Sequence, residues 1–176
     1  MDLVQPPAAP IPAQEMQAWF RKGEIQGSIR NCEEIFNSGI FSANGIQSPL
    51  FQAAVVHLLI CLNDLVGKAK ADGNRLTTTE DIDIFNEITD LTDLIIKCRN
   101  AACHISSTLN NIEENRFIFN VVEGRRPKAF MLDGLELGCD FEDDIAVYYG
   151  KYRFYLHRHG RKAFDQIVEL YPDVEL

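Results

Sequence analysis

Paired cysteines are the first feature that this sequence lacks. Five cysteines occur in 176 residues, and no two of them are spaced Cys-x-x-Cys. Zinc sites and thioredoxin-like redox centres commonly use that spacing, so neither is indicated, and no metal ion or cofactor is expected. Most of the cysteines lie within apolar runs, which is typical of buried free thiols in a reducing cytoplasm.

An excess of basic residues is also lacking. The formal net charge is -9, with 17 Lys and Arg against 26 Asp and Glu. An acidic chain repels polyanions at long range, which argues against a protein that coats nucleic acid broadly. A local basic site is compatible with this charge.

Long apolar runs are few. The most apolar one, residues 53–62, contains His57 and is shorter than the roughly 20 residues that cross a bilayer. The N-terminus does not show the basic-then-apolar pattern of a secretory signal. We therefore expect a soluble, cytoplasmic protein with no membrane partner.

The apolar content is sufficient for a folded core. Hydrophobic residues make up 46% of the chain, and a chain of this length is typical of one domain. Residues 1–12 hold four of the seven prolines and predict a flexible N-terminal arm. The domain is expected to span residues 13–176.

Two long helices are predicted before residue 71. The first begins near Ala13, is expected to pack through Trp19 and Phe20, and ends at Ser38-Gly39. The second runs from Ser48-Pro49 to about Lys70. It is apolar around nearly its whole circumference, which is typical of a helix in the middle of a bundle.

The third predicted helix extends from Asp81 to His104. Thr77-x-x-Glu80 has the pattern of a capping box at its start. Apolar residues from Phe85 to Ile105 recur every three or four positions, the period of a helix that is buried on one side. This is the most clearly amphipathic segment of the chain.

A small antiparallel β insert is predicted at residues 116–149, before a final helix at about 152–170. Residues 116–122 are rich in β-branched and aromatic types, and residues 145–149 suit a further strand. Asp133-Gly134 lies between two apolar runs and suits a two-residue hairpin turn. The expected fold class is mainly α, a bundle of four to five helices that carries this insert.

Arg99, Asn100 and His104 form the candidate catalytic group at the end of the third helix. An imidazole exchanges a proton near neutral pH, and a guanidinium can hold a phosphate through two hydrogen bonds. RNA carries its own nucleophile, the 2′-hydroxyl. On a straight helix Arg99 and His104 point about 140° apart, so they converge only if the helix bends or a second chain brings its own pair.

The spacing of this pair is weak support by itself. An arginine five residues before a histidine is expected by chance roughly 0.2 times in such a chain, and Arg153 with His159 fits a looser version of the pattern. The alternative is structural. Arg99 would then be a surface charge, and His104 a histidine favoured by the dipole at the C-terminal end of its helix.

Arg-Asn followed by three residues and His, at the end of a third long helix, resembles the ribonuclease signature of the HEPN domain (higher eukaryotes and prokaryotes nucleotide-binding). The segment from Ser48 to His104, with Leu-Asn-Asp-Leu at 62–65, is similar to bacterial HEPN proteins of plasmids and of defence or toxin–antitoxin loci. The resemblance covers about half of the chain. It does not account for residues 110–144 or for the proline-rich arm.

The resemblance implies a metal-independent endoribonuclease that acts as a homodimer. Its expected role is that of a toxin or a defence effector. His104 would transfer protons, Arg99 would bind the scissile phosphate, and Asn100 would orient either His104 or the phosphate. Asp64 could position Arg99 from the neighbouring helix. Four basic residues of the last helix are expected to hold flanking phosphates, with a solvated charged face as the alternative: Arg153, Arg158, Arg161 and Lys162.

Two other functions fit the sequence. One is a non-catalytic HEPN-like module that binds an antitoxin or another protein of a defence system. The other is a helical scaffold in which the Arg–His spacing is accidental. Toxicity on expression would separate the nuclease from the scaffold.

Overall fold

The described residues, 12–83 and 88–174 of this computed structural model, form four α-helices and seven β-strands. The helices are α1 (Ala13–Asn37), α2 (Phe51–Ala71), α3 (Leu91–Cys103) and α4 (Lys162–Leu170). The strands are β1 (Asn111–Ile112), β2 (Asn115–Arg116), β3 (Asn120–Glu123), β4 (Arg126–Leu132), β5 (Leu135–Cys139), β6 (Ile145–Tyr149) and β7 (Tyr152–Tyr155). Short 3-10 helices occupy Gly45–Gln47 and Thr108–Asn110, and a π-helix, Leu156–Arg161, joins β7 to α4.

Helix α1 has the predicted ends but not the predicted packing. It begins at Ala13 after Pro12 and stops at Ser38, and Gly39 follows with a φ of +74°. The packing of Trp19 and Phe20 was predicted wrongly, since these side chains are 71% and 55% exposed. No described element covers residues 12–20. The rest of the predicted N-terminal arm lies outside the described residues.

Helix α2 forms within one to three residues of its predicted ends, but it does not lie in the middle of a bundle. One side is fully buried, with Val55, Leu58 and Leu62 each at 0% exposure. The opposite side leaves His57 and Ile60 exposed. The prediction of burial all round is wrong because α1, α3 and α4 cover only part of the helix.

Helix α3 is shorter than predicted and has a different cap. Asp81 has a φ of +60°, which is incompatible with a helix at that point. The helix begins after Asp90, whose side chain accepts a hydrogen bond from the Asp93 amide at 3.0 Å and binds Arg75 through Nε at 2.6 Å. Glu80 pairs with Lys162 instead of closing a capping box. Phe85 lies outside the described residues.

The central sheet has the order β3-β6-β7, and all its pairs are antiparallel. Every residue of β6 is buried. Because successive side chains of a strand point to opposite faces, Ile145 and Val147 join the core shared with the helices, whereas Ala146 and Tyr148 join a second core. The sheet is therefore a layer between the helices and the rest of the β structure.

The β4–β5 hairpin covers the second face of that sheet. The Tyr148 hydroxyl donates to the Gly138 carbonyl of β5 at 2.6 Å and accepts from the Gly138 amide at 2.8 Å. The predicted turn is confirmed, since Asp133 and Gly134 have φ values of +48° and +80°. Both values suit the two-residue turn that matches the twist of paired strands.

The C-terminal segment differs from the predicted helix at 152–170. Residues 152–155 pair with β6 as β7, and only Lys162–Leu170 form an α-helix. Helix α4 then packs against α1 and α2, where the Phe36 and Phe164 ring centroids are 5.8 Å apart. The Tyr171 hydroxyl donates to Asp72 at 2.9 Å, and Arg21 donates to the same carboxylate at 2.7 Å.

The predicted fold class, a mainly α bundle with a small β insert at residues 116–149, is wrong. The described residues are about 50% helical, with 18% in strands that form three small antiparallel sheets. Strands run from Asn111 to Tyr155, and β6 and β7 supply core residues that pack against the helices. Residues 152–155 were predicted as the start of a helix because Leu156, Ala163, Ile167 and Leu170 share one helical face. The pairing of residues 152–155 with β6 decided the outcome.

Candidate functional site

Arg99 lies on the last part of α3 and is only weakly bound by its own protein. Its Nη1 donates to the Asn100 side-chain oxygen at 3.0 Å. Its Nε is buried without a hydrogen-bond partner, and no carboxylate among the described residues forms an ion pair with it. A guanidinium has five N–H donors, so most of its hydrogen-bonding capacity is open to a ligand.

His104 ends α3 and points away from the helical path. Its φ of −119° and ψ of 76° lie outside the helical region, and its side chain is exposed. The buried Asn110 fixes the chain there, because its Nδ2 donates to the carbonyls of Ala101 at 3.0 Å and His104 at 3.2 Å. Asn110 is a structural residue of this region that the sequence analysis did not identify.

An open groove of about 570 Å³ runs along the outward side of α2 and is lined by Arg99. Helix α1 contributes Asn31 to its wall, and α2 contributes His57, Asn63 and Asp64. The structure thus brings Arg99 and Asp64, two of the predicted site residues, to the same groove. His104 is not among the residues that line it.

The two carboxylates of this groove, Asp64 and Glu24, form hydrogen bonds or ion pairs with neighbouring side chains. Asp64 accepts from the Ser28 hydroxyl at 3.0 Å and pairs closely with Lys68. Lys68 also lies 3.2 Å from Glu24. Among the described contacts, Asp64 is engaged by Ser28 and Lys68 and not by Arg99, so its predicted role in positioning Arg99 has no direct hydrogen bond to support it.

Polar groups of α1 and α2 meet in the middle of the groove, around the Cys61 thiol. A hydrogen bond with the Cys32 thiol is the main cause that lowers the pKa of Cys61, while burial opposes it. The charge of His57 and a hydrogen bond with Asn31 lower the pKa of Cys61 further. His57 and Asn31 therefore lie within electrostatic reach of one thiol, although the sequence analysis assigned neither to a site.

The predicted phosphate-binding residues of the last helix all face carboxylates. Arg153 pairs with Asp83 at 2.8 Å and with Asp140 at 2.7 Å. Arg158 pairs with three aspartates, Arg161 with Asp165, and Lys162 with Glu80. These contacts support a structural role for Arg153, Arg158 and Lys162, because they join this segment to residues 80–83. Arg161 pairs within its own helical segment.

Asp144 and His159 organise the π-helix. The sequence analysis considered His159 only as a loose match with Arg153 and gave Asp144 no role. The Asp144 side chain accepts from the amides of Ile145 at 2.8 Å and of His157 and Arg158 at 2.9 Å each. His159 is 1% exposed, and it accepts from the Tyr155 amide at its Nδ1. The Arg153–His159 spacing thus belongs to a folded turn that keeps this histidine buried.

Arg116 is a further cation close to the end of α3. Its Nη2 donates to the Ile105 carbonyl, the residue directly after His104, and its side chain is otherwise exposed. Sequence reasoning assigned Arg116 to a strand and gave it no role. Its position near His104 depends on the β1–β2 hairpin, a contact that helical periodicity could not indicate.

Comparison of the chain with protein-family models, with curated proteins and with solved structures gives no match. The likeness of residues 99–104 to the HEPN signature therefore stays a resemblance. By length and composition alone, α2 could cross a membrane, a criterion that core helices also meet, and 44% of its apolar window is buried. Within residues 12–83 and 88–174, no three His, Cys, Asp or Glu side chains form a group suited to a metal ion.

Proposed function

We propose that this protein is a metal-independent endoribonuclease in which Arg99 binds the scissile phosphate and His104 transfers protons. The observation that carries the proposal is the state of Arg99. This guanidinium lines an open groove without a described carboxylate partner, whereas Arg21, Arg75 and Arg153 each form an ion pair with an aspartate. His104, five residues later, is exposed to an incoming substrate.

The chemistry uses the RNA's own hydroxyl. The 2′-oxygen attacks phosphorus and loses its proton to a base, and the bond to the 5′-oxygen breaks as that oxygen gains a proton. The products are a 2′,3′-cyclic phosphate and a 5′-hydroxyl. Arg99 stabilises the charge that develops on the phosphate oxygens. The Asn100 side-chain oxygen holds Arg99 in place, because it accepts a hydrogen bond from Arg99 Nη1.

A homodimer supplies the second proton-transfer group. Because His104 lies outside the groove that Arg99 lines, one chain does not place the two side chains side by side. A two-fold axis near the end of α3 repeats the same patch on both chains and brings Arg99 of one chain towards His104 of the other. The exposed Ile105, at 58%, is suited to such an interface.

A second candidate is a non-catalytic module that binds a protein partner, such as an antitoxin or another component of a defence system. The neutralised basic segment favours it, since Arg153, Arg158, Arg161 and Lys162 each have a carboxylate partner. An RNA ligand would then find few cations in this acidic chain. Both candidates would act in the cytoplasm, the first as a toxin or defence effector.

The test of the nuclease is cleavage of a labelled RNA by purified protein, with and without EDTA. Wild type should cleave RNA but not DNA of the same sequence, and EDTA should have no effect. Arg99→Ala and His104→Ala should lower the rate at least a hundredfold. His157→Ala, which changes an exposed histidine elsewhere, is the matched control and should retain full activity.

Subunit mixing tests the composite site. Excess His104→Ala chains mixed with wild type should lower activity below that expected from the remaining wild-type chains. Cleavage by His104→Ala at the wild-type rate would reject the mechanism. Toxicity on expression that persists in His104→Ala, without RNA cleavage in vitro, would favour the binding module.

A further inference from the structure

His57 of α2 and Arg99 of α3 line the same open groove. We propose that the groove bounded by α1, α2 and Arg99 binds the phosphate backbone of single-stranded RNA, with His57 as a ligand alongside Arg99. Only the choice of RNA among polyanions rests on the proposed function. His57 lies outside the Arg–His motif.

Arg99 provides the charge for this binding. Its described contacts engage one donor, Nη1, with the neutral amide oxygen of Asn100. No carboxylate within residues 12–83 and 88–174 neutralises it. Leaving Nε buried without a partner costs free energy, and a phosphate that moves this side chain outwards would relieve that cost while accepting two hydrogen bonds.

His57 provides a second donor on the outward side of α2. Its side chain is exposed and lines the groove together with Ile60, one turn further along the helix. The structure describes no hydrogen bond or ion pair that occupies its ring. An imidazole donates one N–H when neutral and two when protonated, so in either state it can donate to a phosphate oxygen.

The acids of the groove do not compete for these two residues. Asp64 is bound by Ser28 and Lys68, and Lys68 also reaches Glu24 at 3.2 Å. On α2, Asp64 and Lys68 follow His57 by about two and about three helical turns, and these contacts engage both carboxylates within the fold. Arg99 therefore remains available to an anion.

Neutral amides line the same groove as Arg99 and His57. Asn31 and Asn63 each present an amide that can donate to phosphate or accept from a ribose hydroxyl. Ile60 offers 42% of its surface and can contact a base or sugar. An open groove with separated donors suits an extended strand better than a small enclosed ligand.

The experiment measures binding without cleavage. A fluorescein-labelled 2′-O-methyl RNA dodecamer cannot be cleaved, because its 2′-oxygen is blocked, and its anisotropy reports the dissociation constant. Arg99→Ala and His57→Ala should each weaken binding at least fivefold. Arg99→Ala should also reduce the slope of log affinity against log salt by about 0.7, the value for one lost phosphate contact on a single strand.

Two matched variants control for general loss of charge or of an imidazole. Arg125→Ala removes an exposed arginine between β3 and β4, and His157→Ala removes an exposed histidine next to β7. Both should bind within twofold of wild type. Arg99→Lys keeps the charge and should restore the salt slope but not the full affinity, which separates a phosphate contact from a folding defect.

Failure of this proposal is distinguishable from failure of the nuclease. Wild-type affinity for Arg99→Ala and His57→Ala, or equal weakening by the two control variants, would overturn the groove site. Arg99- and His57-dependent binding without any cleavage of unmodified RNA would support the groove and reject the nuclease. Cleavage that needs His104, with His57→Ala binding as wild type does, would reject the assignment of His57.

Discussion

The basic segment at residues 151–162 and the end of α3 differ in whether their cations are available to bind a ligand. The first segment has the densest positive charge in the sequence, yet Arg153 and Arg158 each contact at least two carboxylates. The end of α3 has a single arginine, and no described acid pairs with it. Charge available to a ligand is therefore set by folded neighbours and not by local sequence density.

Acidic segments distant in sequence explain the difference. Residues 80–83 and 140–144 bring their carboxylates to the β7–α4 junction, where they meet Arg153, Arg158 and Lys162. The groove beside Arg99 has two acids, Glu24 and Asp64, and Lys68 pairs with both. The β7–α4 junction uses its cations to hold elements together, whereas the groove leaves the charge of Arg99 without a described acidic partner.

The largest expected effect is on the junction. Asp144→Ala removes a buried carboxylate that accepts from three backbone amides and approaches Arg158 Nη1 at 3.4 Å. We expect the free energy of unfolding to fall by about 4 kcal/mol, because the amides and the guanidinium lose their acceptor. Urea denaturation followed by circular dichroism measures it. Asp143→Ala, which removes only an exposed ion pair with the same arginine, should lower the free energy of unfolding far less than Asp144→Ala does.

The next effect concerns His159, in the same junction. Burial is the main cause that lowers its pKa to about 4, from 6.5, while a backbone hydrogen bond at Asp81 and the charge of Asp144 oppose the shift. Arg153 and Lys162 lower this pKa further. Protonation therefore favours the unfolded chain, whose histidine binds the proton more tightly.

Stability linked to His159 is complete above pH 6.5 and is lost as the pH falls from 6.5 towards 4. The expected loss is of the order of 3 kcal/mol, and thermal or urea unfolding at half-unit pH steps measures it. Carboxylates also titrate in the lower part of this window, so the comparison is with His159→Gln. That variant should show a clearly flatter pH dependence between 6.5 and 5. Identical slopes for the two proteins would contradict the buried neutral ring.

The smallest expected effect on stability is at Arg99, the cation without a described acidic partner. Arg99→Met keeps the length of the side chain and removes a buried Nε that has no partner. We expect the free energy of unfolding to stay within about 1 kcal/mol of wild type, or to rise, because no ion pair is broken. Arg153→Met, which breaks two ion pairs at a side chain only 16% exposed, should be clearly less stable in the same urea titration.

Local patterns predicted several elements of the fold correctly. The ends of α1 follow from Pro12 and Ser38-Gly39, and the β4–β5 turn follows from Asp133-Gly134. These signals act within a few residues, since they restrict φ or supply a cap. Helical periodicity also located α2 and the second half of the predicted third helix.

The errors arise where a distant partner decided the structure. Tyr152–Tyr155 pairs with β6, a strand that helical periodicity does not reveal. Asp90 caps α3 and also binds Arg75, a residue that no local capping pattern identifies. The candidate site shows the same limit. Sequence offered Arg99 and His104 as candidates, which stay a prediction. Only the fold shows that His57 shares the groove of Arg99 and that Asn110 holds the end of α3.

The Asp72 carboxylate, which holds both Arg21 and Tyr171, has a consequence for synthesis on the ribosome. Helices α1 and α2 leave the exit tunnel long before α4 exists, so the apolar surface that Phe164 covers is exposed to solvent in the nascent chain. Ribosomal stalling before residue 162 leaves that surface bare and open to chaperones and proteases.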